Sequence, residues 1–270
     1  LQRRLTPYPK DDIRYIPTIE ESIERLEGVT LDQVRKLYDE QLGGTAGEFA
    51  AVGDFDAAPV LKQMDEALKD WQPKTPYKRI ERPFVEGVKG GRLVIETPDK
   101  ANAVYMAGLT FPLSDADPDD PALQVADFIF GSGTLSSRLG VRVRQKEGLS
   151  YGVRSQYGAE SLDKSASLQI NAICNPKNID KVDVAVLDEM DKMLKSGVTD
   201  KEVEEAKSAF LAMRKVGRGG DAQLAGQLRE LLHVGRTFAF EVELEKKIAG
   251  LSATQVAAAF KQYADPAKLV

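Results

Sequence analysis

Residues 130–157 read FGSGTLSSRLGVRVRQKEGLSYGVRSQY and contain four local patterns in succession. A loop of small residues (Gly131–Thr134) precedes a basic run with helical character (Ser137–Lys146). A turn at Glu147-Gly148 then leads into an alternating strand pattern over Leu149–Tyr157. The stretch therefore predicts a helix that turns directly into a strand, a kind of corner at which binding groups often collect.

Arg144 and Tyr151 lie on either side of this turn, seven residues apart. Both side chains are long and end in polar groups. From the spacing alone, the plainer interpretation is favoured, namely a surface arginine and an edge-strand tyrosine with no shared function.

The flanking sequence predicts an α+β fold. Apolar runs at 91–97 and 102–111 predict two strands joined by the turn Pro98-Asp99-Lys100, and 149–157 with 165–174 predict a hairpin. Short connections of this kind favour antiparallel pairing. Because the pattern is helical from Asn175 onward, we expect a mostly antiparallel sheet with helices packed on one face.

The N-terminal third predicts a different arrangement. Three prolines in residues 1–17 indicate an extended or poorly ordered segment. Helices are predicted after it and over about 57–70, with the short strand EFAAVG at 48–53 between them. A proline-rich stretch then predicts a linker at 76–86. Capping-box patterns mark four helix starts, at Thr18, Thr30, Thr199 and Ser252.

An internal repeat connects the two ends of the chain. Residues 28–38, GVTLDQVRKLY, resemble residues 250–260, GLSATQVAAAF, at an offset of 250 − 28 = 222 residues. Each copy is a helix entered through a capping box. Chance similarity is the alternative, because the motif is short. If the repeat is real, we expect a piece of a longer protein built from repeated units that share a core with their neighbours.

Composition excludes several classes of function. The chain is 42% hydrophobic and 29% charged, an ordinary balance for a globular protein with a sizeable core. Its net charge of −5 argues against a nucleic-acid partner, which usually requires a basic face. No apolar run reaches the roughly 18 residues of a membrane-spanning helix.

Histidine and cysteine, two common zinc ligands, are scarce in the chain. Cys174 is the single cysteine and lies in an apolar run, where a buried thiol without reactivity is expected. His233 is the single histidine, with Glu230 three residues before it. A catalytic zinc site needs three protein ligands, usually including histidine, so we expect no metal and no cofactor in this chain.

Three stretches resemble the M16 family of zinc metallopeptidases, the group of pitrilysin and the mitochondrial processing peptidase. They are EFAAVGDFD (48–56), FGSGTLSSRLGVRVRQKEGLSYGV (130–153) and GVTDKEVEEAKSAF (197–210). The resemblance implies homologous α+β domains, of which the catalytic one carries zinc on an H-x-x-E-H motif that this chain lacks. Residues 1–75 then resemble the C-terminal part of a preceding domain, and 87–270 a non-catalytic domain truncated at its C-terminal end.

The resemblance also implies site residues. Arg144 and Tyr151 match the family pair that reaches across the cleft to substrate beside the zinc. Gly131, Gly133 and Arg138 match the wall of the same cleft, although a simple salt bridge is the alternative role for Arg138. A phosphate-binding loop at 131–134 is disfavoured, because the G-x-x-x-x-G-K-[ST] pattern is absent.

Two functions follow as expectations. The first is the substrate-binding, non-catalytic portion of a zinc endopeptidase, and the second is an inactive homologue serving as a structural or assembly subunit. The first implies a peptide or unfolded-protein substrate and a separate catalytic domain or subunit that holds the zinc. A homodimer is a further expectation, and the resemblance to bacterial members implies a periplasmic location.

Overall fold

The computed structural model describes the backbone of residues 1–270 and every side chain except that of Thr134. The α-helices and strands follow one another as α1 (Gln2–Leu5), α2 (Ile19–Glu27), α3 (Leu31–Gln41), α4 (Ala57–Leu68), β1 (Ala103–Phe111), α5 (Asp120–Asp127), β2 (Ser150–Ala159), β3 (Ala166–Cys174), α6 (Ile179–Ser196), α7 (Asp200–Gly217), α8 (Asp221–His233), α9 (Phe238–Ala249) and α10 (Ala253–Tyr263). Two π-helices, Phe128–Ser132 and Gly140–Lys146, lie between α5 and β2.

The strands form one antiparallel sheet in the order β1-β3-β2. Leu109 of β1 and Tyr157 of β2 both stand opposite Leu168 of the central strand. The predicted hairpin of β2 and β3 is confirmed, and so is the α+β class. Both β1 and β2 are edge strands, so one row of backbone groups on each requires other partners.

The core lies between one face of the sheet and the helices. Side chains alternate across a strand, so every second residue of β1 and β3 points toward α5, α6 and α10. The inward residues of both strands are buried except for the half-buried Ala103, and their neighbours on the other face are half-buried or exposed except for the buried Gly108. Members of this core with less than 2% exposure include Leu109, Phe130, Leu139, Val143, Ile170, Val186, Met190 and Ile248.

The chain forms two compact units. The first comprises residues 1–15, 82–214 and 241–270 and contains the sheet. The second comprises 16–81 and 215–240 and is helical. Helices α2, α3 and α4 of the second unit bury no side chain, although each carries apolar residues at helical spacing.

Two predicted strands are not formed. Residues 48–53 and 91–97 have no regular structure, and Leu93, Val94 and Ile95 are exposed. A strand needs a partner for its ladder of hydrogen bonds. At the free edge of β1, Val270 and not a further strand supplies hydrogen-bond partners. Its N–H donates to the Gly108 carbonyl at 2.9 Å, and its carbonyl accepts from the Gly108 N–H at 3.0 Å.

The N-terminal segment is more ordered than its prolines predicted. Residues 2–5 form a short helix, and Leu5 is buried. Leu5 packs over Gly108 on the sheet face opposite the helices, where a β-carbon on Gly108 would come within 3.1 Å of Leu5 Cδ1. The expectation of an extended or poorly ordered segment is therefore wrong for these residues, because an apolar contact offsets the poor local propensity.

The four predicted capping boxes are present. Thr18, Thr30, Thr199 and Ser252 each accept a hydrogen bond from the backbone N–H three residues later, and the Glu or Gln there accepts one in return. Each box satisfies two backbone donors that a helix start leaves without partners.

A buried carboxyl group joins α5 to β2. Asp120 Oδ1 accepts a hydrogen bond of 2.8 Å from the Tyr157 hydroxyl, and Oδ2 accepts one of 2.6 Å from Gln124 Nε2. Burial disfavours the charged carboxylate and raises the pKa of Asp120 to about 6, even though these two bonds act in the opposite direction.

We predict that folding stability falls as pH rises through about 6. Between the unfolded pKa near 3.8 and the folded pKa near 6, only the folded state holds the proton of Asp120, so protonation favours folding there. The stabilisation amounts to up to about 3 kcal/mol, is fully present below the unfolded pKa and is lost above the folded one.

Urea unfolding at pH 5 and pH 7.5 measures this pH dependence of the free energy of unfolding. Asp120→Asn should reduce it, leaving the part that arises from Asp127, whose pKa burial also raises. An unchanged pH dependence in Asp120→Asn would contradict this assignment.

Candidate functional site

A cleft of about 560 Å³ lies beside the free edge of β2, within the first unit. The π-helices Phe128–Ser132 and Gly140–Lys146 contribute to its walls on one side, and residues 151–156 on the other. π-Helical turns are rare and occur often at functional sites. Gly131, Arg144 and Tyr151, three of the residues singled out in the sequence, line this one cleft.

The corner between helix and strand is built from local backbone contacts. Glu147 N–H donates to the Arg142 carbonyl at 3.2 Å, and Leu149 N–H donates to the Val143 carbonyl at 2.8 Å. Gly148 has φ +59°, a left-handed conformation that glycine adopts without steric cost. Val143 and Leu149 are both buried, so the corner is fixed to the core on each side of the turn.

A β-bulge at the start of β2 turns Tyr151 outward. The register with β3 shifts between Ser150 and Gly152, and the buried Ser150 hydroxyl lies 2.7 Å from the Ile173 carbonyl. Gly152 N–H donates to Ser150 Oγ at 3.1 Å, which satisfies a backbone group that the bulge displaces. Tyr151 is 84% exposed as a result.

Arg144 and Tyr151 are in direct contact. The guanidinium carbon of Arg144 lies 4.5 Å from the centre of the Tyr151 ring. A cation–π contact at an exposed site contributes about 0.5–1 kcal/mol. This contact brings the guanidinium and the phenol side by side at the mouth of the cleft.

The opposite wall depends on a close approach of Gly131 to β2. A β-carbon on Gly131 would lie 2.5 Å from both the backbone nitrogen and the hydroxyl of Ser155. Beside it, Asp127 accepts hydrogen bonds from the Ser155 hydroxyl and from the Tyr157 N–H, the latter at 3.1 Å. The carboxyl group of Asp127 therefore supplies a hydrogen-bond acceptor at the edge of β2 that faces away from β3.

Gly133 and Arg138 lie apart from the cleft. A β-carbon on Gly133 would meet the Phe128 carbonyl oxygen at 2.5 Å, so this glycine permits tight packing of the π-helix. Arg138 donates from Nε and Nη2 to the two carboxylate oxygens of Glu202, at 2.8 and 3.0 Å, and Nη2 also donates to the Gly197 carbonyl. These contacts place Arg138 in a salt bridge between elements. The Thr134 side chain lies outside the described part of the structure.

Most of the residues that line the cleft were not singled out in the sequence. Ser132, Arg154 and Gln156 also border the cleft. Arg154 and Gln156 follow Gly152 at alternate positions of β2, so all three lie on the sheet face opposite the helical core. The alternating pattern of β2 was the signal that could have identified them.

The donor set does not fit a zinc ion. The described residues contain no group of three or more His, Cys, Asp or Glu side chains placed to hold a metal. His233 Nδ1 lies 3.0 Å from Glu48 Oε1, in the second unit, and Cys174 is buried, where desolvation raises its pKa. Among the described residues, no helix is both long and apolar enough to cross a membrane.

Comparison with known proteins identifies the family. Residues 28–210 match the family described as "Peptidase M16 inactive domain". An uncharacterized zinc protease of Streptomyces coelicolor is 29% identical over 192 residues, which cover 68% of this chain and 40% of that protein. The crystal structure of a peptidase M16 inactive domain from Pseudomonas fluorescens matches with a TM-score of 0.73 at 24% identity, covering 92% of this chain and 57% of that one. A protease from Helicobacter pylori gives a TM-score of 0.73 at 15% identity, with coverage of 92% and 59%.

The fold is that of an inactive peptidase domain. The chain belongs to the M16 peptidase family and corresponds to its inactive domain, which confirms the resemblance found in the sequence. It spans 40% of the Streptomyces relative and somewhat more than half of the two bacterial structures.

We predict that Gly131→Ala destabilises the chain by roughly 1–3 kcal/mol, the usual cost of overpacking. Alanine would gain a few tenths to 1 kcal/mol of helical preference. The clash with the backbone of Ser155 outweighs that gain, because no side-chain rotation relieves it. Urea unfolding measures the change.

Gly158→Ala is the matched control for this prediction. Gly158 lies in β2, the strand that Gly131 approaches, but a β-carbon on Gly158 meets nothing within 4 Å, so Gly158→Ala should change the stability little. Equal effects of the two substitutions would show that the approach of Gly131 to Ser155 does not limit the size of residue 131.

Proposed function

We propose that this chain is the substrate-binding, non-catalytic portion of a zinc-dependent endopeptidase, and that it completes the cleft of a separate H-x-x-E-H domain. One observation carries the proposal: Arg144 and Tyr151 contact each other at the mouth of a cleft beside an edge strand. Membership of the M16 family and similarity to a zinc protease support it.

The chemistry of the pair suits a peptide. A peptide carbonyl accepts hydrogen bonds, and both a guanidinium fork and a phenol hydroxyl donate them. Within the described residues, neither the guanidinium of Arg144 nor the hydroxyl of Tyr151 has a hydrogen-bond partner, so both are available to a ligand. Donors that tighten as a carbonyl oxygen gains charge are worth roughly 3–4 kcal/mol in oxyanion holes.

The zinc would belong to the partner. Because the donor set of this chain does not fit a metal, the H-x-x-E-H domain or subunit would hold it and activate water there. This chain would bind and orient the peptide. Its own residues perform no bond-breaking step.

We also propose that residues 1–75 are the C-terminal part of a preceding M16-type domain, joined by 76–86 to the non-catalytic domain at 87–270. The repeat supplies the argument. Helices α3 and α10 have the same length and the same capping box. In α10, Val256, Ala259 and Phe260 are at most 3% exposed, whereas the matching Val34, Leu37 and Tyr38 of α3 are at least 50% exposed. An amphipathic helix with an uncovered apolar face indicates a core supplied by further residues.

We predict that Tyr151→Phe and Arg144→Lys each weaken the binding of an unstructured reporter peptide to this chain. Phenylalanine removes one hydroxyl and keeps the ring, and lysine keeps the charge but loses the planar fork. Loss of a hydrogen bond that involves a charged group costs about 1.5–3 kcal/mol, which is tenfold or more in affinity. Fluorescence anisotropy titration measures it.

Tyr77→Phe and Arg92→Lys are matched controls. Tyr77 is exposed in the second unit, and Arg92 pairs with Asp180 and Asp183. Both should bind peptide as the unmodified chain does.

Kinetics of the longer protease distinguish two roles for the pair. If the pair acts on the transition state, the cleft substitutions lower kcat and kcat/KM together, whereas if it only holds substrate, they raise KM. Unchanged binding and kinetics in both cleft variants, with folding intact, would favour the structural or assembly subunit instead.

A further inference from the structure

The described lining of the cleft carries positive charge and no carboxylate. Its lining includes Arg144 and Arg154 but no Asp or Glu. Within the described residues, neither arginine forms a salt bridge. Between residues 92 and 214, every other arginine is paired with a carboxylate, namely Arg92, Arg138, Arg142 and Arg214.

The two arginines reach the cleft from different elements. Arg144 comes from the π-helix and rests on the Tyr151 ring, and Arg154 comes from the exposed face of β2. Arg154 Nε donates to Asn171 Oδ1 of the neighbouring strand at 3.3 Å, which directs its stem along the sheet. The outer nitrogens of Arg154 have no carboxylate partner in the part of the chain that the structure describes.

The two arginines are unneutralised although the chain as a whole carries a net charge of −5. Two guanidinium groups that line one cleft repel each other, and a ligand carboxylate between them would turn that repulsion into attraction. A guanidinium fork also matches a carboxylate in geometry and can donate two parallel hydrogen bonds to it. Among the groups of an unmodified peptide, only acidic side chains and the C-terminal carboxylate are negatively charged near pH 7.

We propose that the cleft selects peptides with a carboxylate at the segment bound beside Arg144, and that Arg154 determines this preference. The inference rests on the proposed function, because it specifies which peptides that site accepts. The carboxylate comes either from an Asp or Glu side chain or from the C-terminus of the peptide. In both cases Arg144 and Tyr151 engage the peptide, and Arg154 binds the carboxylate.

Four versions of one labelled peptide test the proposal by fluorescence anisotropy on the 270-residue chain. A central Glu or Gln is combined with a free or an amidated C-terminus. We expect at least one of the two carboxylates to raise affinity about tenfold over the Gln, amidated peptide. The preference should shrink between 50 and 500 mM salt, because added ions screen exposed charges. If replacing Glu by Gln abolishes the preference, the side-chain carboxylate is the one bound, and if amidation abolishes it, the C-terminal carboxylate is.

Arg154→Gln should bring the affinities of the four peptides within about twofold of one another. Arg92→Gln, which removes an arginine outside the cleft, should keep the full preference. Because Arg154 is exposed, Arg154→Gln should leave folding unaffected. The four peptides are also compared on the unmodified chain, where no substitution is involved.

The outcomes separate the inference from the proposed function. Equal affinity for all four peptides, still weakened by Tyr151→Phe, would overturn the carboxylate preference and leave the substrate-binding role in place. A preference that survives in Arg154→Gln would overturn the role of Arg154. Absence of binding for every peptide would overturn both proposals.

Discussion

The side chain of Asp127 holds the edge of β2, and the cleft depends on that edge. β2 pairs with β3 on one side only. The backbone groups on its other side therefore need hydrogen-bond partners from elsewhere wherever they are shielded from water. Asp127 accepts from the Tyr157 N–H and from the Ser155 hydroxyl, and the absence of a side chain on Gly131 allows the π-helix to approach at this point. Burial raises the pKa of Asp127, so the carboxyl group is kept at an energetic cost.

The N-terminal end of the same strand is left accessible. There the bulge at Ser150 and the left-handed Gly148 turn Tyr151 away from the core, while Val143 and Leu149 stay buried on either side. A rigid corner with exposed polar groups is the arrangement that a binding site requires, since the groups are positioned before the ligand arrives. The buried Val143 and Leu149 anchor the backbone that carries the half-buried Arg144 and the exposed Tyr151.

Much of the fold could be predicted from the sequence, because its signals are local. Capping boxes marked helix starts, and apolar or alternating runs marked the strands that form the sheet. Residues 48–53 and 91–97 have equally apolar sequences but no regular structure. Whether an apolar run becomes a strand is decided by a partner far away in the chain, and local propensity carries no information on it.

The site could be predicted only in part. Spacing across the turn directed attention to Arg144 and Tyr151, and the structure places them in contact. Arg138, of similar appearance in the sequence, instead forms a salt bridge to Glu202, 64 residues further along the chain. Arg154 was missed, since its place in the cleft follows from which face of β2 is open. Such distinctions depend on tertiary contacts that residue type and spacing do not encode.

A double-mutant cycle on Arg144 and Tyr151 measures whether the two side chains act on a peptide as one unit. The free energies of peptide binding are compared for Arg144→Lys, Tyr151→Phe and the double variant, with Arg92→Lys and Tyr151→Phe as the control pair. We expect the double variant to lose less than the sum of the single losses, by about 0.5 kcal/mol or more, while the control pair is additive. Additive losses at Arg144 and Tyr151 would show that the two residues contact the peptide independently and do not act as one unit.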